Sequence, residues 1–126
     1  MRVTFKRWLT TALAGLALAA AGSVSAQGSF PDKPIVLVVP FAAGGPTDVV
    51  ARMIAIPMGR ALGQSVLVEN TVGAGGTTGI TRASQAAPDG YTIMMGHMGT
   101  HAAAPALYPR LRYDPTKDFE PIGIAA

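Results

Sequence analysis

Cysteine is absent from this sequence, which removes disulfides, thiolate metal sites and a cysteine nucleophile at one stroke. A folded domain of this composition has to hold together by packing alone. Charge is scarce as well: Asp, Glu, Lys and Arg make up 13% of the 126 residues, and aromatic residues 6%. A formal charge of +3 would point to a polyanionic partner if it were spread along the chain. It is not, because Arg2, Lys6 and Arg7 carry it and the seven basic residues that remain balance the seven acidic ones. Nucleic acid is therefore not an expected partner. Long hydrophobic runs are missing too. The strongest, Ala12 to Ala21, falls short of the ~20 residues that a bilayer span needs.

What is present at the start explains those early charges. A basic opening leads into an uncharged stretch from Trp8 rich in Leu and Ala, and then into the small residues Val24-Ser25-Ala26. This pattern predicts a secretory signal over residues 1–26, cleaved after Ala26, with the mature chain starting at Gln27. No cysteine follows the cleavage point, so no lipid anchor and no stable membrane anchor are expected, and the location predicted is the periplasm. Residues 27–126 allow one domain at most.

The mature chain is organised around Ile35 to Asp48, which reads I-V-L-V-V-P-F-A-A-G-G-P-T-D. Ile35 to Pro40 contains no polar side chain, as expected of a strand buried on both faces in a parallel sheet. Gly44 and Gly45 then permit a tight turn, Pro46 suits the first turn of a helix, and Thr47 or Asp48 can cap it. A buried strand thus runs into a helix N-terminus, where unpaired N–H groups and the dipole favour an anion. Asp48 reads more readily as a cap than as a ligand contact. A carboxylate aimed at a bound anion would repel it, so Asp48 is expected to turn back onto the backbone or to meet a donor group.

The first helix should run from about Thr47 to Gly63, with Val50, Ile54, Met58 and Leu62 forming its apolar stripe. Pro57 inside that segment predicts a kink or two shorter helices. Ser65 to Glu69 reads as a second strand. Asn70 to Gly79 is a second glycine loop, from which a helix capped by Thr77 or Thr78 runs to about Ala87. Tyr91 to Gly96 reads as a third strand, His97 to Thr100 as a third loop, His101 to Leu107 as a short helix, and Ile122 to Ala126 as the start of another strand. Strands alternating with helices predict an α/β fold, a βαβαβ unit with a parallel sheet and helices on both faces. All three loops should gather at the carboxyl ends of the strands, where such sheets bind ligands.

Several chemistries fail on the residues. The Walker pattern needs Gly-Lys-Ser/Thr, and Gly45 is followed by Pro46-Thr47-Asp48. A dinucleotide fingerprint starting at Gly73 and Gly75 needs a third glycine where Thr78 stands. His97 and His101 have helical spacing for a metal, but further ligands are lacking and Gly99 argues against one helix across the pair. No nucleophile elbow or paired carboxylates support catalysis, so no enzyme, cofactor or metal is expected. The plainer alternative is that both glycine pairs only make tight turns.

The runs P-D-K-P-I-V-L-V-V-P-F-A-A-G-G-P-T-D-V-V-A-R, L-G-Q-S-V-L-V-E-N-T-V-G-A-G-G, A-A-P-D-G-Y-T-I-M-M-G and G-T-H-A-A-A-P-A-L-Y-P-R-L-R-Y-D-P-T-K-D-F-E-P-I closely resemble the tripartite tricarboxylate transporter substrate-binding proteins, the Bug family. The resemblance covers Phe30 to Ala126. It implies a type II periplasmic binding protein-like fold, of which residues 27–126 make an incomplete N-terminal lobe. It also implies capture of a small organic carboxylate and delivery to the permease subunits of a tripartite transporter. By position, the family's carboxylate loops fall on Phe41 through Asp48, with Phe41, Ala43, Gly44, Gly45, Thr47 and Asp48 as contacts. They fall also on Gly73 through Thr78, with Gly75, Gly76, Thr77 and Thr78, and in the third segment on Thr100 and His101. Backbone N–H groups and water typically hold the carboxylate in that family. Two other readings stand beside this one: an inactive truncated remnant of such a receptor, and an α/β enzyme holding phosphate at the first loop.

Overall fold

The computed structural model describes residues 29–126. The expected signal segment and the start at Gln27 lie outside the described residues. Strand β1 spans Ile35–Val39, and four of its five residues are buried. It pairs in parallel with β2, Val66–Asn70, in a register that sets Ile35 opposite Val66 and Val39 opposite Asn70. On its other side it pairs in parallel with β3, Thr92–Met94, with Leu37 opposite Ile93. The sheet order is β2-β1-β3. A central position explains why β1 carries no polar side chain: both faces and both edges are covered, and a polar group would find no water there.

Helix α1 covers Pro46–Leu62 and helix α2 covers Thr77–Ser84. Leu37 and Val39 point to the α1 side, where they pack on Ala51 and Ala55 with Val66, Val68, Ile93 and Met95 around them. Full burial of a side chain the size of Leu37 or Val39 contributes about 1.5–3 kcal/mol. Val38 alternates to the opposite face, and α2 lies against β1 and β3 with Ile80 wholly buried. The helices therefore cover both faces, and the βαβαβ unit expected from the alternation is present.

Some local expectations need correction. Helix α1 runs unbroken through Pro57. Pro57 is exposed, so water can satisfy the carbonyl that the missing N–H leaves free, and the loss of one bond does not end the helix. Its buried face is Asp48, Ala51 and Ala55, rather than the stripe of larger residues. Val50, Ile54 and Met58 flank that face half-buried, and Leu62 is exposed. Small residues let the helix axis approach a strand that already presents Leu37 and Val39. Gly63, with φ 67, stops α1 as expected. Helix α2 ends at Ser84, before the expected Ala87: the Gln85 N–H still reaches the Thr81 carbonyl at 3.3 Å, but the Ala86 N–H turns back to Ala83 at 3.2 Å, so the last turn tightens and closes before Ala87, which Pro88 disfavours in helical geometry.

The third loop winds into a π-helical turn, Gly99–Ala103, that continues into α3, Ala104–Leu107. Gly99 thus lies inside the turn instead of breaking it, and the Thr100 and His101 N–H groups both donate to the His97 carbonyl at 2.9 Å. The strand expected at Ile122 to Ala126 does not form. That segment pairs with no strand among the described residues, Ile122 and Ile124 being 78% and 97% exposed; an apolar run becomes a strand only where a ladder partner lies beside it.

Candidate functional site

Three loops leave the carboxyl ends of β1, β2 and β3. The first is shaped by its own carboxylate. Asp48 Oδ2 accepts the Gly44 N–H at 2.8 Å and Arg52 Nε at 2.9 Å, while Oδ1 accepts Asn70 Nδ2 at 2.9 Å. Asp48 is 2% exposed. Its position therefore matches the expectation that it turns back onto the backbone. The α1 cap is Gly45, in extended geometry, and neither Thr47 nor Asp48 makes a side-chain cap; Pro46 at the first helical position leaves Thr47 inside the helix, past the capping position. Among the described residues no protein acceptor takes the N–H of Thr47 or of Asp48. The end of the helix dipole is thus left with donors to offer.

The Arg52 guanidinium first, then the Gly44 N–H and the Asn70 amide, hold Asp48 well below the ordinary carboxylate value of 3.8, at about 2. Because the folded value is depressed, the stability Asp48 contributes is complete above 3.8 and is lost as pH falls from there towards 2. The stability gap between the protein and Asp48→Asn, measured by urea unfolding, is therefore expected to shrink across that window. A gap that stays constant with pH would remove the ionised form of Asp48 from this account.

The second loop is left-handed for three residues running, Ala74, Gly75 and Gly76, at φ 45, 64 and 93. Gly76 is where the loops meet. A Cβ on it would lie 2.8 Å from Thr100 Cγ2 and 3.2 Å from Phe41 Cζ, so only glycine lets the first and third loops close on the second. Thr77 and Thr78 do not cap α2. Gly76 takes the capping position, and Thr77 is buried with its hydroxyl on the Ala74 carbonyl at 2.9 Å. Thr78 is exposed.

In the third loop, Thr100 is fully buried. Its Oγ1 donates to the His97 carbonyl at 3.0 Å, accepts the His97 N–H at 3.2 Å and lies 2.9 Å from His101 Nδ1. A hydroxyl has one proton; given to the His97 carbonyl, it requires Nδ1 of His101 to be the protonated nitrogen. Burial pushes the His101 pKa down, which favours the neutral ring. That ring sits beside Phe119 and Tyr113, with centroids 5.5 and 6.4 Å away, and the Tyr113 hydroxyl donates to the Thr100 carbonyl. His97 lies edge-on to Phe41 at 5.1 Å and accepts the Gly99 N–H on Nδ1 at 2.9 Å. Each imidazole thus has one nitrogen engaged within the loop, and the described residues contain no cluster of three metal-ligating side chains.

Of the residues singled out from sequence, Phe41, Gly76 and Thr100 touch, with His101 behind Thr100. Thr47 and His101, with Pro46, Val50, Met95 and His97, line a cleft of about 530 Å³ beside the α1 N-terminus. Ala43, Gly44 and Gly45 are not part of that lining and form the turn leading into Pro46, closed by the Gly45 N–H on the Ala42 carbonyl at 3.2 Å; Gly75 is not part of it either and faces Tyr108. Asn70 was missed. It bonds Phe41, Asp48 and Arg52 together, and the one signal for it was an asparagine closing a strand ahead of a glycine loop.

A family model described as the tripartite tricarboxylate transporter family receptor matches residues 50–126. The chain belongs to this receptor family. It is a family of receptors, not enzymes. Among curated relatives, a UPF0065 protein of Agrobacterium vitis is 50% identical over 99 residues, covering 79% of this chain and 28% of the relative. Protein BugT of Bordetella pertussis is 38% identical over 117 residues, covering 90% and 36%. The receptor-family chain therefore spans about a third of the length of the curated relatives it matches. Among solved structures, periplasmic binding protein BugD superposes with a TM-score of 0.72 at 53% identity, over 75% of this chain and 31% of that one. MatC from Rhodopseudomonas palustris with bound malate gives 0.74 at 54% identity, over 76% and 33%. A further R. palustris protein, solved with adipate, gives 0.66 at 37%, over 69% and 29%. These neighbours agree with the parallel α/β arrangement described above.

Proposed function

We propose that this chain is the N-terminal lobe of an exported solute-binding receptor that captures a small organic carboxylate in the periplasm and passes it to the permease subunits of a tripartite tricarboxylate transporter. On this reading residues 1–26 are the signal, cleaved after Ala26, and residues 27–126 supply one wall of a cleft between two lobes. The first loop, Phe41 through Asp48, seats the carboxylate; Gly75, Gly76, Thr77 and Thr78 with Thr100 and His101 form the wall beside it. The observation that carries the proposal is the meeting of three strand-end loops on Gly76 beside a helix N-terminus whose donors have no acceptor among the described residues. Among the described residues no lysine or arginine lines the adjoining cleft, so on this reading an anion there is held by N–H dipoles and hydroxyls. Family membership and neighbours solved with malate and adipate support the same ligand class.

Isothermal titration of sodium malate and sodium adipate tests it. Both the chain itself and the chain joined to the part of MatC beyond the matched region are titrated. Saturable heat is expected for at least one acid with the joined protein, and none for the uncharged ester dimethyl adipate. Absence of binding by both proteins, or equal binding of the ester, would sink the proposal.

A further inference from the structure

Two imidazoles, His97 and His101, line the cleft beside the α1 N-terminus, and the third loop fixes their protons in opposite senses. His97 Nδ1 accepts the Gly99 N–H at 2.9 Å. A ring nitrogen that accepts carries no proton, so His97 is neutral and its proton is on Nε2. His101 is the reverse. Its Nδ1 lies 2.9 Å from Thr100 Oγ1, whose one proton goes to the His97 carbonyl at 3.0 Å. Were that proton turned to Nδ1 instead, two oxygens would face each other at 3.0 Å with only lone pairs between them. Nδ1 of His101 is therefore the donor and Nε2 the bare acceptor. Burial opposes charging of this ring. Its Cε1 and Nε2 stand 3.2 and 3.5 Å from where a Cβ on Gly96 would be, and Gly96 is itself part of the cleft lining.

Water meets both Nε2 atoms in the open cleft, so a solute that displaces it has to offer an acceptor to His97 and a donor to His101. A carboxylate suits His97 and is repelled by the lone pair on His101. A hydroxyl suits His101. An ammonium would enter a cleft that no Asp or Glu lines among the described residues, without a counter-charge from the protein. We infer that the cleft selects a hydroxycarboxylic acid, with His97 Nε2–H donating to a carboxylate oxygen and His101 Nε2 accepting the hydroxyl. The assignment rests on the carboxylate reading above and narrows it. The neighbours do not choose between these classes, since malate has a hydroxyl and adipate has none.

The proton positions are tested on the chain itself, without any ligand. Long-range ¹H–¹⁵N spectra of the histidine-labelled chain at neutral pH are expected to show His97 protonated on Nε2 and His101 on Nδ1; a proton on Nε2 of His101 overturns the assignment. Selection is tested on the chain joined to the part of MatC beyond the matched region. Succinate, malate and aspartate share one diacid frame and differ in a single substituent, so titration with all three isolates the hydroxyl. Malate is expected to bind most tightly, and His101→Leu is expected to lower the ratio of malate to succinate affinity about tenfold. Comparing two acids on one variant cancels a general loosening of the cleft. Should His101→Leu not fold, Thr100→Val carries the same expectation, because it keeps the ring and removes the hydroxyl that orders its protons. An unchanged ratio, or aspartate bound as tightly as malate, overturns the selection while leaving carboxylate capture standing. Binding of none of the three acids by the joined parent removes the carboxylate reading and this inference together.

Discussion

Gly79→Val is expected to lower the stability of the chain by about 3 kcal/mol, the upper end of what overpacking costs in a close-packed interior. Gly79 sits in α2 where that helix crosses β1. A Cβ there would lie 2.7 Å from the Thr71 carbonyl oxygen, 3.0 Å from Pro40 Cα and 3.1 Å from Pro40 Cβ. Two of those three atoms are backbone, so no rotamer change relieves the clash. Either α2 lifts off the sheet, exposing Ile80, or the Pro40 strand end shifts and carries the first loop with it. A domain of this size has little stability to spare. Gly63→Ala is the contrast: its φ of 67 is left-handed but nothing lies within 4 Å of the added carbon, so the cost is about 1 kcal/mol of backbone strain. Urea unfolding followed by circular dichroism ranks the two. If Gly79→Val proved no worse than Gly63→Ala, close packing of α2 on Pro40 would be wrong.

The sheet was legible because its signal is local. Six apolar residues before a glycine turn describe a central strand whatever surrounds it, and β1 is central. The positions of the loops follow from parallel pairing, so their gathering at one edge was legible too. What escaped depends on neighbours far away in sequence. The burial of Ala51 and Ala55 in place of Ile54 and Met58 is set by how full the sheet face is at Leu37 and Val39. Pro57 interrupts nothing because its side of α1 faces solvent. Thr47 and Thr77 look like caps by residue type, but Gly45 and Gly76 hold those positions, and the Thr77 hydroxyl serves the second loop instead. Ile122 to Ala126 has a strand's composition and no strand to pair with. Tyr113 and Phe119 read as loop residues until the third loop is seen folded against them.

Asn70→Ala is expected to cost about 2 kcal/mol, the penalty for leaving part-buried acceptors unpaired, and to weaken carboxylate binding as well. The Asn70 amide donates to the Phe41 carbonyl at 3.0 Å and to Asp48 Oδ1 at 2.9 Å, and its oxygen accepts Arg52 Nη2 at 3.2 Å. It is therefore the clamp that joins the end of β2 to the first loop. Release of the Phe41 carbonyl frees a ring that packs on Gly76 and on His97, so the proposed seat loosens where all three loops meet. N70D distinguishes this clamp from simple loss of volume. It keeps the shape, loses both donors and sets a second carboxylate against Asp48, and one of the two must then titrate upwards. At neutral pH N70D should be less stable than N70A, and the difference should close as pH falls and the pair takes up a proton. Unfolding curves at several pH values decide the matter: equal stability of the two variants throughout would mean that Asn70 fills space and holds nothing.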